Sequence, residues 1–173
     1  MADKHAVVRT DKMAGTDVRS KMVSLMFADM SGETPVPEDI DNGNVVTITA
    51  ELAEGREIYY AVAPSVSASP YALALIATPE MIYKSGEQDI TNFYNEAGTP
   101  ARGYRLTSGD IFSVTAEALD GADSSTKVGS YVELGTTTKL KVVESATEDS
   151  TQIGCIIDIE TVGTHKYFVI EVA

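Results

Sequence analysis

The chain has 173 residues and a net charge of −13, from 13 basic and 26 acidic side chains, with a hydrophobic fraction of 43% and one cysteine. That apolar content excludes wholesale disorder, and the acidity argues against nucleic acid as a direct partner, because phosphate contacts need clustered Lys and Arg. No apolar run approaches the roughly 20 residues of a membrane-spanning helix. Residues 1–13, MADKHAVVRTDKM, lack the apolar core of a secretory signal, and Cys155 alone forms no disulfide framework within the chain.

Charge divides the chain unevenly. Residues 1–27 hold Lys4, Arg9, Lys12, Arg19 and Lys21 against Asp3, Asp11 and Asp17, a net +2, so the remainder carries −15. We read residues 1–20 as an N-terminal arm and 21–173 as a single β-rich domain. Within the arm, residues 6–9 (AVVR) are β-prone. Such a segment either adds a strand to a neighbour's sheet edge or pairs with its own sheet.

Residues 20–28, SKMVSLMFA, fit both an alternating strand and a short helix. Residues 31–44, SGETPVPEDIDNGN, read as a long exposed loop closed by the Asp41-Asn42-Gly43 turn. Residues 45–50 and 57–62 predict a hairpin about Glu54-Gly55-Arg56. Residues 71–77, YALALIA, are continuously apolar and predict a fully buried strand. Thr78-Pro79-Glu80 fits either a helix start or a loop. Ile90, Phe93, Tyr94 and Ala97 form one apolar stripe at helical spacing, with Gly98 as the stop, so the sequence predicts one short helix over 87–97.

The centre of the chain is 105–119, RLTSGDIFSVTAEAL. It follows a strand at 103–106 and turns at Ser108-Gly109-Asp110. It then alternates over 111–119 with Phe112, Val114, Ala116 and Ala118 on one apolar face. Strands at 130–134 and 139–145, then a hairpin of 153–161 with 166–172, complete the pattern. Cys155, within that apolar run, reads as a buried inert thiol. The fold class is therefore mainly β, an antiparallel barrel or sandwich with one short helix and an extended N-terminal arm.

The side chains give no catalytic constellation, and we expect neither an enzyme nor a cofactor. His5 and His165 lie in the arm and in a hairpin turn, without Cys, Asp or Glu at metal-ligand spacing. Neither histidine is placed to activate a nucleophile. Glu38, Asp39, Asp41 and Asn42 lack the spacing of a calcium loop and read as a solvated loop. Glu148 and Asp149 read as surface charge.

Three stretches carry a resemblance: ADKHAVVRTDKM near the N-terminus, IDNGNVVTI at 40–48, and NEAGTPARGYRLTSGDIFSVTAEAL at 95–119. Together they are similar to head decoration, or auxiliary capsid, proteins of tailed phages. The resemblance implies a β-rich virion protein on the outer capsid surface, bound to the major capsid protein and stabilising the head. It also implies a homo-oligomer, with a trimer favoured, and no direct contact with nucleic acid or membrane. The arm contact it implies falls on His5, Val7, Val8, Arg9 and Lys12. The segment 71–98 has no counterpart in the smallest proteins of that kind. Two alternatives stand beside this reading: another virion component (a tail-tube or head–tail connector subunit), or a carbohydrate- or cell-surface-binding β-module. The absence of Trp weighs against the last, which relies on aromatic platforms.

Overall fold

The computed structural model describes residues 5–9, 21–55, 57–82 and 89–173. It is a mainly β protein made of a closed five-stranded barrel and a curled half-barrel sheet. The barrel is built from β1 (Met22–Asp29), β3 (Val45–Glu54), β4 (Ile58–Val62), β5 (Leu73–Ile76) and β6 (Ala101–Arg105), in the order β1-β4-β3-β5-β6, with β6 returning to β1 to close it. The short β2 (Val36–Pro37) pairs with the end of β1. All barrel pairs are antiparallel except β1 with β4.

A five-stranded barrel has a narrow lumen, so its inward positions must be small. Here they include Ala61, Ala74 and Ala101, packed with Leu25, Val46 and Ile76. Gly103 is also inward, and a Cβ there would run into the Leu25 side chain. The ambiguous segment 20–28 is a strand for the same reason: alternate residues Val23, Leu25 and Phe27 point into this lumen.

The second sheet runs β7-β12-β11-β9-β10-β8. Its strands are β7 (Ile111–Thr115), β8 (Leu119–Asp120), β9 (Tyr131–Leu134), β10 (Leu140–Val143), β11 (Gln152–Val162) and β12 (His165–Val172). β7 and β8 stand at opposite ends of that order, yet only the 3-10 turn Ala116–Ala118 separates them in sequence. This short connection forces the sheet to curl. The expected strand over 111–119 is thereby cut in two, although Phe112, Val114 and Ala118 face the core as the alternation predicts. Gly109 takes φ +86 in the turn before β7.

The two sheets share one core. Val45, Leu73 and Leu75 on the outside of the barrel pack with Phe112, Leu134, Leu140, Ile156 and Phe168 of the half-barrel. Strand β5 is consequently covered on both faces, with all four residues at 0% exposure. Full burial is worth about 2 kcal/mol for each large aliphatic side chain. The prediction of a buried strand holds for 73–76, whereas Tyr71 at its start is 91% exposed.

Two further expectations are corrected here. The helix expected over 87–97 does not form in its described part, 89–97, which holds the 3-10 turn Ile90–Asn92, extended Phe93 and a bridge from Asn95 to Ile40. The Asp89 side chain caps that turn, and the bridge then draws the chain into extended form, which overrides the helical spacing. Cys155 is half-buried, because its cross-strand partners are the exposed Tyr131 and Glu171, on the face away from the core.

The turn between β2 and β3 depends on Gly43. It holds φ +83, and a Cβ would lie 2.9 Å from the Ala118 Cβ and 3.1 Å from a Val114 methyl. Gly43→Ala therefore combines backbone strain with overpacking. The expected loss is about 2–4 kcal/mol, read as a lower urea midpoint at unchanged slope.

Candidate functional site

The N-terminal segment 5–9 lies along the free edge of β7. Val8 bridges to Val114, the Arg9 N–H donates to the Ser113 carbonyl at 2.8 Å, and the Thr115 N–H donates to the Val7 carbonyl at 2.9 Å. Ala6, Val7 and Val8 are 2%, 2% and 1% exposed. The segment thus pairs with its own sheet, one of the two arrangements open to a β-prone arm. Strand addition suits it because backbone pairing gives register, while alternate side chains fill the core.

The arm residues singled out in the sequence have different surroundings. Val7 and Val8 are committed to the protein's own interior. Arg9 reaches across the sheet, 5.3 Å above the Tyr167 ring and 3.9 Å from the Glu160 carboxylate. Half-buried His5 stacks on Tyr94 at 4.8 Å, contacts Asp41 Oδ1 through Nδ1 at 2.8 Å, and donates its backbone N–H to Thr91. Lys12 lies outside the described residues.

Asp41 belongs to the second feature, a buried polar cluster about the turn before β3 that ties barrel segments together and reaches the half-barrel through Asn44. Asn42 is 0% exposed, Asn44 3% and Asn95 6%. The Asn42 amide grips the backbone of Thr78 from both sides, donating to its carbonyl at 2.7 Å and accepting from its N–H at 3.0 Å. Asn42 also donates to Glu80 and accepts from Asn95, whose amide in turn donates to the Ile40 carbonyl. Asn44 donates to the Asp41 carbonyl and accepts from the Thr138 hydroxyl of the half-barrel at 2.8 Å. The Val45 N–H donates to the Thr138 carbonyl at 2.7 Å. The loop expected to be exposed is therefore buried from Asn42 onward.

Two grooves meet at Tyr94. One, of about 420 Å³, is lined by His5, Asp39, Asp41, Asn44, Thr138 and Lys139. The other, of about 490 Å³, is more apolar, with Pro79, Met81, Ile82, Phe93 and Pro100 among its walls. Among the described residues no three His, Cys, Asp or Glu side chains come together as metal ligands. Within the loop weighed for calcium, Asn42 is occupied by Thr78, Asp41 faces His5, and Asp39 accepts from the Ala97 N–H. What this region does chemically is hold backbone: it fixes the arm, the turn before β3 and the start of the half-barrel to one another.

A second buried polar group braces the far side of the half-barrel. The Glu133 carboxylate, 1% exposed, accepts from the Thr147 hydroxyl at 2.8 Å, the Thr147 N–H at 3.1 Å and Lys141 at 3.1 Å. Burial is the largest influence and pushes its pKa up. The Thr147 hydroxyl, Lys141 and the Thr147 N–H together outweigh burial and hold the group below the ordinary carboxylate value.

No family model matches the chain, and neither a curated protein nor a solved structure matches it.

The Asn42, Asn44, Asn95 and Thr78 cluster was not legible in the sequence. Its only signal was the IDNGN turn, and its partners lie tens of residues away. Glu133 gives the testable consequence. Its folded-state pKa is below its unfolded value, so its stabilisation is present above the carboxylate range and is lost as pH falls through the folded value. The stability advantage of wild type over Glu133→Gln should be largest near neutral pH and shrink below about pH 4, as measured by urea unfolding across the pH series.

Proposed function

We propose that this protein is a structural subunit of a phage virion that binds the outer surface of the capsid and stabilises the assembled head. The observation that carries the reading is where the resembling stretches fall. IDNGNVVTI forms the buried turn and the start of β3. The block 95–119 runs from the bridge at Asn95 through β6 and β7 to β8 and so connects the two sheets. The stretches that carry the resemblance thus lie on the frame of the fold, which supports this reading. Its acidic, mainly β body suits a repeated subunit, and contact with the major capsid protein would be spread over many weak interactions, a standard interface burying about 1,600 Å².

The arm has a divided role on this reading. Val7 and Val8 anchor the segment on β7, and the charge of Arg9 and Lys12 is what the arm would offer the shell. Deleting residues 1–12 would remove Ala6, Val7 and Val8 from the core, so a charge variant is the cleaner probe. Purified full-length protein should cosediment with undecorated heads. Arg9→Gln/Lys12→Glu should keep its circular dichroism spectrum and lose affinity on the order of ten-fold. Unchanged binding by the folded variant would remove the arm from the contact. No binding by full-length protein, together with rings or tubes formed by itself, would replace the decoration reading with the tail or connector one.

A further inference from the structure

Asn42-Gly43 is the one Asn-Gly pair in the chain. Asn followed by Gly is the pair most open to deamidation, because no side chain shields the following nitrogen. The Gly nitrogen attacks the Asn Cγ, the bond from Cγ to Nδ2 breaks and ammonia leaves, closing a five-membered succinimide. Water then opens that ring at one carbonyl or the other, giving Asp or isoaspartate. No oxidant or metal is required.

We propose that Asn42 is a deamidation site protected by the fold, and that chains which remain unfolded lose the amide and with it the ability to rebuild the turn that holds Thr78 and Asn95 beside the start of β3. Four observations support it. The amide is 0% exposed, so the water that opens the ring has no access in the native state. Both of its donor and both of its acceptor positions are used, by the Thr78 carbonyl and Glu80 on one side and the Thr78 N–H and Asn95 on the other. The nucleophile is held as well, since the Gly43 N–H donates to the Ile76 carbonyl at 2.8 Å. Finally, Gly43 sits so close to Ala118 and Val114 that not even a Cβ would fit, so the turn is tightly packed on the half-barrel. Reaction therefore requires the turn to leave β5 first, and its native rate follows the population of opened molecules.

The products do not fit the same place. Asp at position 42 replaces the donor aimed at the Thr78 carbonyl with an acceptor, 2.7 Å from that carbonyl and beside the Glu80 carboxylate at 3.2 Å. Isoaspartate adds an atom to the main chain between Ile40, paired with Asn95, and Gly43, bonded to Ile76. The glycine that lets the turn pack tightly thus also limits how long a chain can stay unfolded and still reach the native state.

The full-length protein is incubated at mildly alkaline pH with and without denaturing urea. The peptide containing residues 42–43 is followed by mass spectrometry for the gain of one dalton and by enzymatic methylation for isoaspartate. Conversion is expected in urea and should be slower by at least roughly ten-fold in the native sample. On removal of urea, converted chains should refold in lower yield than unconverted ones from the same tube. Equal rates with and without urea would overturn the proposal, as would converted chains that refold to an unchanged urea midpoint. Asn42→Asp adds an independent reading: its deficit against wild type should narrow on acidification, because a protonated carboxyl can again donate to Thr78. A deficit that stays constant with pH would refute the assigned cause. If that variant does not fold, the measurements on wild-type chains decide.

Discussion

The structure depends on a small set of buried amides that hold main chain. Asn42 takes both backbone groups of Thr78, Asn95 takes the Ile40 carbonyl, and Asn44 meets Thr138. Each links segments far apart in sequence. A buried amide with an unmet donor costs about 1–3 kcal/mol, so such a cluster is favourable only when every member is satisfied. Asn42 meets that condition in full. The result is specificity of docking: apolar packing between Leu75 and Phe112 or Phe168 tolerates sliding, whereas the amides accept one register.

Geometry around the joint follows from that register. The Asn44 carbonyl accepts from the Ile76 N–H, and the Gly43 N–H donates to the Ile76 carbonyl, which places β3 beside β5 at the point where the barrel meets the half-barrel. β5 then needs apolar side chains on both faces, and its sequence LALI supplies them. Ala74 and Ile76 enter the barrel, and Leu73 and Leu75 enter the shared core. The small residues of the barrel lumen are the counterpart of this arrangement, since five strands leave little space inside.

The N-terminal segment is fixed by the same region. His5 touches Asp41 and Tyr94 next to the joint, and Val7 and Val8 extend the half-barrel at β7. A sheet edge that would otherwise present unpaired N–H and C=O groups is covered by the chain itself. Of the described arm residues, Ala6, Val7 and Val8 belong to the interior, and His5 and Arg9 are half-buried against Tyr94 and Tyr167.

Alternation and composition were enough to read the β class, a buried strand within 71–77, the hairpins about Gly55 and Gly163, and the apolar face of Phe112 and Val114, because these depend on neighbours in sequence. The helix expected over 87–97, absent from the described residues 89–97, marks the limit of such reasoning. Ile90, Phe93, Tyr94 and Ala97 do fall at helical spacing, yet Asn95 is drawn into a bridge with Ile40, a partner 55 positions away. The same limit hid the polar joint: IDNGN is a turn in any local reading, and only the long-range pairing of Asn42 with Thr78 buries it. The sequence by itself determined which residues would alternate, turn and be buried. The tertiary structure alone decided which edges meet, whether the arm pairs with its own sheet, and which polar side chains leave water, because those outcomes rest on contacts between segments that no local spacing encodes.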